Sequence, residues 1–146
     1  MSLKLTKMNQ TELLESALEP TGSSGWRDDA VAFGVKGDGD TLTAVAVFQG
    51  FGGNDAEFHF AKLGDGSITR GHIEAFSMIA FHHRGLGLKK VWAQIAAHNK
   101  AAQRAAVGLG FDFEYRKRAG LEGGEDAIVF SMSRQEAGLV TARPQT

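Results

Sequence analysis

The feature that most constrains the fold is a change, near Gly64, in how the apolar segments are connected. Before that point, short strand-like segments follow one another across glycine-rich turns, which is typical of an antiparallel meander. After it, a helical segment separates two strand-like segments. Neighbouring strands joined through a helix lie parallel and need a right-handed crossover. The chain is therefore predicted to form one mixed sheet covered by helices.

The predicted elements run in the order α-β-β-β-α-β-α-β-β. This order indicates the α/β class, with about six strands in a mixed sheet and helices on both of its faces. Asn9 and Glu12 have the spacing of a capping box at the first helix, and Pro20 ends that helix. The strands are predicted at 30–36, 42–51, 56–62, 90–97, 111–118 and 126–133, and the later helices at 69–84 and 100–109.

The length of 146 residues is enough for a single domain, which we predict at 1–134. Residues 135–146 show no apolar periodicity and are expected to be a flexible tail. A net charge of −1 provides no whole-chain attraction to nucleic acid or to an anionic membrane. No apolar run approaches the roughly 18 residues of a membrane span, and the N-terminus lacks the apolar stretch of a signal peptide. We therefore expect a cytoplasmic protein.

The residue types present exclude several kinds of chemistry. The chain has no cysteine, so it has no disulfide, no thiolate metal site and no cysteine nucleophile. Its five histidines do not follow a metal-binding spacing, and we expect no metal. Neither the Gly-x-Ser-x-Gly turn of a serine hydrolase nor a phosphate-binding Walker loop occurs.

One ordered set of residues lies in the segment 91–118, which reads VWAQIAAHNKAAQRAAVGLGFDFEYRKR. Asn99 ends a predicted strand, Ala102 follows three residues later, Leu-Gly-Phe closes the next helix at 109–111, and Glu114 precedes Arg118 by four. This set resembles the GNAT acyltransferase superfamily. The segment 124–132, GEDAIVFSM, also resembles the last strand of the ribosomal-protein-alanine acetyltransferase branch. With residues 58–84, the resemblance covers about half of the chain.

The resemblance implies a site for acyl-coenzyme A, with acetyl-CoA as the expected cosubstrate. In this superfamily two neighbouring parallel strands splay apart and admit the pantetheine arm, and the pyrophosphate binds backbone N–H groups at the start of the following helix. The corresponding strands here are 56–62 and 90–97, and the phosphate loop is 64–71. The loop departs from the usual Gln/Arg-x-x-Gly-x-Gly/Ala pattern. The implied cofactor-binding residues are Gly66, Thr69, Arg70, Gly71 and Asn99.

The start of the helix after this loop also carries a signal of its own. Arg70 and His72 lie in its first turn, where positive charge opposes the helix dipole by roughly 0.3–1 kcal/mol. A bound anion would offset this unfavourable charge, so the first turn is a candidate anion-binding site. In the alternative interpretation, the helix begins a residue or two later and Arg70 points to solvent.

Two residues are candidates for proton transfer. Glu57 lies on a predicted strand beside the expected splay and could deprotonate an ammonium through a water, although alternation alone would make it solvent-facing. The superfamily often places a tyrosine, as the acid that protonates the departing thiolate, where this chain has Ala106. Tyr115 is the only tyrosine and the only phenol that could replace it, and a packing role is the alternative.

The resemblance implies an N-acyltransferase that transfers an acetyl group to an amine by direct attack in a ternary complex. A degenerate module of the same fold, without catalysis, is the first alternative. An unrelated α+β binding module, without coenzyme A binding or a splay, is the second. The expected partners are acyl-CoA and an unknown amine, with a homodimer through sheet edges left open. The superfamily sets acceptor choice mainly in segments that correspond to 9–29 and 118–126.

Overall fold

The structure is a computed structural model that describes residues 4–7, 9–64, 69–135 and 137. The strands are β1 (Lys4–Thr6), β2 (Val31–Lys36), β3 (Leu42–Gln49), β4 (Asp55–Lys62), β5 (Lys90–Ala96), β6 (Asp112–Lys117) and β7 (Ala127–Ser133). The helices are α1 (Gln10–Ser16), α2 (Leu18–Thr21), α3 (Arg70–Phe81) and α4 (Lys100–Gly108). Within the described residues the strands form one mixed sheet in the order β1-β2-β3-β4-β5-β7-β6. This arrangement confirms the predicted fold class.

The structure differs from the prediction mainly at the N-terminal end. Strand β1 adds a seventh strand, antiparallel to β2, and its three residues are too few to show alternation. The predicted first helix consists of two short helices, α1 and α2. The predicted capping box is wrong, because Asn9 adopts a left-handed conformation (φ 57°) and its side chain makes no capping bond. Instead, the Gln10 side chain bonds the backbone N–H and C=O of Ala32 at 2.8 and 2.7 Å, which ties α1 to β2.

Alternation along the strands gives the sheet a separate core on each face. The larger core packs Phe48 and Phe58 with Phe76 of α3 and Ala106 of α4. On the opposite face, Leu13 of α1 packs with smaller apolar side chains of β2 and β3. The prediction of helices on both faces is therefore confirmed, with α3 and α4 on one face and α1 on the other.

The two halves of the sheet are joined by a short parallel ladder between β4 and β5. Strand β4 pairs with β3 at six positions, whereas it pairs with β5 at only three, from Asp55–Lys90 to Glu57–Trp92. Strand β5 pairs with β7 along its whole length. Beyond Glu57 and Trp92 the facing edges of β4 and β5 therefore have no ladder partner, and the strands splay apart as the resemblance implied.

Among the described residues, no three His, Asp or Glu side chains lie close enough together to hold a metal ion. No helix in this part of the chain is long and apolar enough to cross a membrane. The predicted tail, 135–146, lies outside the described residues apart from Gln135 and Ala137.

Candidate active site

A cleft of about 410 Å³ opens where β4 and β5 diverge. Its lining comes from the end of α2 (20–22), from β4 (58–60), from β5 (93–96), from the α4 region (Asn99, Ala102, Ala105, Ala106, Leu109) and from Phe111 and Leu121. Phe58 and Phe60 belong to the α3 face of the sheet and His59 to the opposite face, since neighbouring side chains of a strand alternate. The cleft is therefore lined by side chains from both faces of the sheet.

Two helices begin at the edge of the sheet where this cleft opens. Strands β4 and β5 run parallel, so their carboxyl ends meet at one edge, and α3 and α4 follow them there. Ligands of sheets with parallel strands commonly bind at such an edge. Asn99 is the N-cap of α4, with its Oδ1 accepting a hydrogen bond from the Ala102 N–H at 3.1 Å, and it also lines the cleft.

The start of α3 is closed by a capping box between Thr69 and His72. The Thr69 hydroxyl oxygen accepts from the His72 N–H at 3.2 Å, and His72 Nδ1 accepts from the Thr69 N–H at 3.1 Å. His72 Nε2 lies 3.1 Å from the Thr43 hydroxyl, which itself donates to the Val35 carbonyl. The Thr43 oxygen therefore acts as the acceptor, and His72 carries its proton on Nε2.

This bonding pattern requires a neutral His72. The side chain is only 3% exposed. Burial, and then the charge of Lys62, lower the pKa of His72 below its ordinary value. The expectation that His72 adds positive charge to the first turn is therefore wrong. Arg70 does supply that charge, and it forms an i,i+4 ion pair with Glu74 at 3.3 Å.

The predicted cofactor-binding residues fall into two groups. Thr69 is the N-cap of α3 and Arg70 and Gly71 begin its first turn, at the open edge of the sheet, whereas Asn99 lines the cleft. Gly66 lies outside the described residues.

Glu57 occupies the last position at which β4 pairs with β5, on the face of the sheet opposite α3. Its side chain is buried, so the solvent-facing interpretation is wrong. Gln49 Nε2 donates to Glu57 Oε1 at 2.9 Å, and His59 Nε2 lies 3.1 Å from the same oxygen. Gln49 is held in turn, because its Oε1 accepts from the Arg27 N–H at 2.8 Å.

The charge state of Glu57 follows from two opposing effects. Burial raises the pKa of Glu57, while the hydrogen bonds from His59 and Gln49, with the nearby charge of Arg27, lower it. The hydrogen bonds and the charge outweigh burial, so the pKa of Glu57 lies below its ordinary value. Glu57 is therefore a carboxylate at neutral pH.

His59 was not among the predicted site residues, yet it lies between Glu57 and the cleft. Its ring lines the cleft, and the Trp26 ring meets it edge-on with 5.1 Å between centroids. Trp26 is itself anchored by a bond from Nε1 to the Leu14 carbonyl at 2.7 Å. The sequence did contain a signal: His59 follows Glu57 by two residues, which places both side chains on one face of a strand.

Gln94 is a second residue that the sequence interpretation missed. It lies on β5 two residues after Trp92, on the same face as Glu57 and His59, and it lines the cleft. Its Oε1 atom is buried and has no hydrogen-bond partner among the described residues. An acceptor of this kind can bind an N–H group of a molecule in the cleft.

Ala106 lines the cleft at the position where the superfamily often has a tyrosine, so this part of the wall offers only a methyl group. Tyr115 lies on the edge strand β6, is about half exposed, and is not among the residues that line the cleft. Its assignment as a proton donor stays a prediction.

Solved acetyltransferases share this fold over nearly the whole chain. A mutant form of the spermidine/spermine N-acetyltransferase SpeG from Vibrio cholerae matches with a TM-score of 0.74 at 17% identity, covering 97% of this chain and 100% of that chain. A chimera of SpeG and hSSAT matches with a TM-score of 0.76 at 15% identity, covering 95% and 99%. Neither a protein-family model nor a curated protein matches the sequence. The fold is thus the GNAT fold.

Proposed function

We propose that the protein is an acyl-CoA-dependent N-acyltransferase that transfers an acetyl group to an amine by direct attack in a ternary complex. The observation that carries the proposal is the end of β4–β5 pairing after Glu57 and Trp92, with a cleft of about 410 Å³ at that point. An extended arm with amide groups can bond the unpaired strand edges. Holding donor and acceptor together there makes the attack effectively unimolecular.

The first turn of α3 is the proposed binding site for the pyrophosphate. Helix N-termini offer backbone N–H groups and partial positive charge, and Arg70 adds a full charge. Thr69, Arg70 and Gly71 are therefore proposed to bind the phosphates, together with Gly66. Asn99 is proposed to lie beside the pantetheine arm, since it lines the cleft.

In the proposed reaction, the ammonium of the acceptor first loses a proton towards Glu57. The free amine then attacks the thioester carbonyl, a C–N bond forms, and the C–S bond breaks. Of the two protons that the nitrogen loses, one ends on the coenzyme A thiolate and the other in solvent. A thiol has a pKa of about 8.5, so water can supply the thiolate proton, and Tyr115 is the proposed alternative donor.

Two acceptor classes have support. The solved structures cited above are spermidine or spermine N-acetyltransferases, which favours a polyamine. The resemblance of 124–132 to the ribosomal-protein-alanine branch favours a protein N-terminal amine.

A SpeG structure described as dodecameric matches with a TM-score of 0.71 at 15% identity, covering 92% of this chain and 95% of that chain. A homo-oligomer and a cytoplasmic location are accordingly proposals for this chain.

Thermal unfolding with acetyl-CoA, coenzyme A and ATP tests the cofactor site. A ligand at about 100 times its dissociation constant stabilises the folded state by roughly 2.7 kcal/mol, which corresponds to several degrees in Tm for a chain of this size. We expect both coenzyme A compounds to raise Tm, ATP to have a smaller effect, and Arg70→Glu to remove the shift. Arg84→Glu, an exposed charge reversal after α3, is the matched control and should retain it.

Release of free thiol tests turnover directly. Because the chain contains no cysteine, a thiol reagent reports only the coenzyme A that is released. The panel consists of spermidine, benzylamine and an alanine-terminated peptide. Thiol release that depends on one of these amines would support the proposal and identify the acceptor class.

The second candidate function is a binding module of the same fold without transferase activity. The methyl group of Ala106 at the cleft wall favours it, because no phenol is available there. Stabilisation by coenzyme A without thiol release from any amine would support this alternative. No stabilisation at millimolar coenzyme A would contradict the transferase proposal and favour a module that binds a partner or a different ligand.

A further inference from the structure

We infer that His59 accepts the proton of the acceptor ammonium, that Gln94 binds the same nitrogen from the opposite strand, and that Glu57 is a positioning residue for His59. This inference rests on the proposed function and deepens it. In the proposed function above, Glu57 accepts the substrate proton. Here His59 accepts that proton, and Glu57 orients His59.

The pairing register puts His59 and Gln94 opposite one another. Glu57 and Trp92 form the last β4–β5 pair, so their side chains lie on one face of the sheet. Two residues further along each strand, His59 and Gln94 lie on that face again, and both line the cleft. The strands no longer pair at this point, which leaves space between the two side chains for a group from a bound molecule.

The tautomer of His59 follows from its contact with Glu57. His59 Nε2 lies 3.1 Å from Glu57 Oε1 and 3.5 Å from Gln49 Nε2. An ionised carboxylate only accepts hydrogen bonds, and its contact is the shorter one, so we assign the hydrogen to Nε2. In the neutral ring the other nitrogen, Nδ1, then has a lone pair. That nitrogen has no hydrogen-bond partner among the described residues. It is therefore available as a base to a molecule in the cleft.

Glu57 itself is turned towards the protein. Its Oε1 bonds Gln49 and His59, and Glu57 is not among the residues that line the cleft. Gln49 is fixed at both ends, since its other end accepts from the Arg27 N–H. The carboxylate therefore orients the imidazole, as a second group does for catalytic histidines in general.

Two charged residues belong to the hydrogen-bonded network that includes the His59 ring. Glu57 on β4 and Arg27 in the segment before β2 are the charged neighbours within this network. The end of α2 contributes Pro20, Thr21 and Gly22 to the cleft, and β5 contributes Gln94. The Glu57 carboxylate is thus the charged group in direct contact with the His59 ring.

Gln94 supplies a complementary contact for the nitrogen. Its Oε1 is buried without a partner in the described part of the chain, and the residue lines the cleft. An amine that gives one proton to His59 Nδ1 keeps N–H groups, and one of these can be donated to Gln94 Oε1. After the proton moves, the nitrogen lone pair attacks the thioester carbonyl, a C–N bond forms and the C–S bond breaks. The second proton of the nitrogen goes to the coenzyme A thiolate, and the imidazolium releases its proton to solvent.

The test is the pH profile of kcat/KM for thiol release, with acetyl-CoA and whichever of spermidine, benzylamine and the alanine-terminated peptide the wild type uses. We expect His59→Asn to lower kcat/KM at neutral pH about 100-fold or more and to remove the acidic limb of the profile. Glu57→Gln should retain the limb and lower kcat, because the imidazole loses the carboxylate that orients it. Gln94→Leu should raise KM for the amine about tenfold with a smaller change in kcat.

His98→Asn is the matched control, because His98 contacts a carboxylate, that of Glu125, at an exposed position away from the cleft lining. It should keep the wild-type profile. The rise in Tm with coenzyme A should persist in all four variants, which shows that each one folds and binds cofactor.

Three results would overturn the inference. If His59→Asn keeps the acidic limb while Glu57→Gln removes it, Glu57 is the base and this inference alone fails. A ring that NMR shows protonated on Nδ1 in the neutral wild type contradicts it independently of turnover. If the wild type releases no thiol with any of the three amines, the transferase proposal fails as well.

Discussion

The two faces of strand β4 differ in nearly every physical respect, although they alternate residue by residue. Ala56, Phe58 and Phe60 face α3, and the Phe58 ring lies within 6 Å of the rings of Phe48, Phe76 and Phe111. Glu57 and His59 face the opposite side and form a hydrogen-bonded pair beside the cleft. One face supplies non-directional apolar burial, and the other supplies directional polar contacts.

This contrast indicates how the fold positions a site. The aromatic face fixes β4 against α3 through close packing, which tolerates little movement. The polar face can then keep a buried carboxylate, because each of its contacts comes from a strand held in register. Since side chains alternate with period two, a slip of one residue would exchange core and site.

The largest effect is expected on the aromatic face. Phe58→Ala removes a ring that contacts three others, and we expect a loss of about 3–5 kcal/mol in the free energy of unfolding, measured with urea. Phe113→Ala, at a position 61% exposed, is the control and should cost far less. Equal losses in the two variants would show that the aromatic face is not the main anchor of β4.

The cleft beside β4 can be obstructed without disturbing either face. Ala105 is exposed on α4 and lines the cleft, whereas Ala101 is exposed on the same helix and does not. Ala105→Trp should abolish stabilisation by coenzyme A, which is about 2.7 kcal/mol at 100 times the dissociation constant. Ala101→Trp should retain it. Retention in both variants would place the cofactor elsewhere.

On the polar face, Gln49→Leu removes one of the two hydrogen bonds to Glu57 and leaves the Arg27 N–H without its acceptor. We expect a loss of about 1–3 kcal/mol at neutral pH. Because the folded-state pKa of Glu57 is lowered, its contribution to stability is present above the ordinary value of 4.5 and is lost as pH falls through the folded-state value. Urea unfolding from pH 7 to 3 should show a weaker dependence in Gln49→Leu than in wild type. An unchanged dependence would mean that Gln49 does not hold the charge.

His72, at the start of α3, gives the smallest expected effect and a contrast to His59. Its folded-state pKa is lowered by burial, so the unfolded chain binds a proton below about pH 6.5 while the folded chain stays neutral. Stability therefore falls as pH drops through that range. His72→Gln should remove this dependence and keep the capping box, since glutamine at this position can accept from the Thr69 N–H. The measurement is the midpoint of thermal unfolding, Tm, between pH 7.5 and 5. The same dependence of Tm on pH in wild type and His72→Gln would contradict a lowered pKa of His72.

Much of the fold was predictable because its signals are local. Asn99 caps α4 as expected, and the helix predicted at 100–109 ends at Gly108. The errors have local causes too: β1 is only three residues long, and Asn9 adopts a left-handed conformation, which asparagine tolerates, in place of a cap. Among the candidate site residues, the sequence indicated Glu57 and not His59, because alternation places both on one face of the strand but does not show which of them lines the cleft.

By itself, the sequence determined the order of elements, the parallel crossover at its centre and the two faces of each strand, because these depend on residues close together in the chain. Only the tertiary structure decided that Glu57 is buried and ionised and that His59 stands between it and the cleft. It also decided that Gln94 meets them from another strand. Those properties depend on Gln49, Arg27 and Trp26, which reach the site from distant segments, and a charge state is set by what surrounds a group in space.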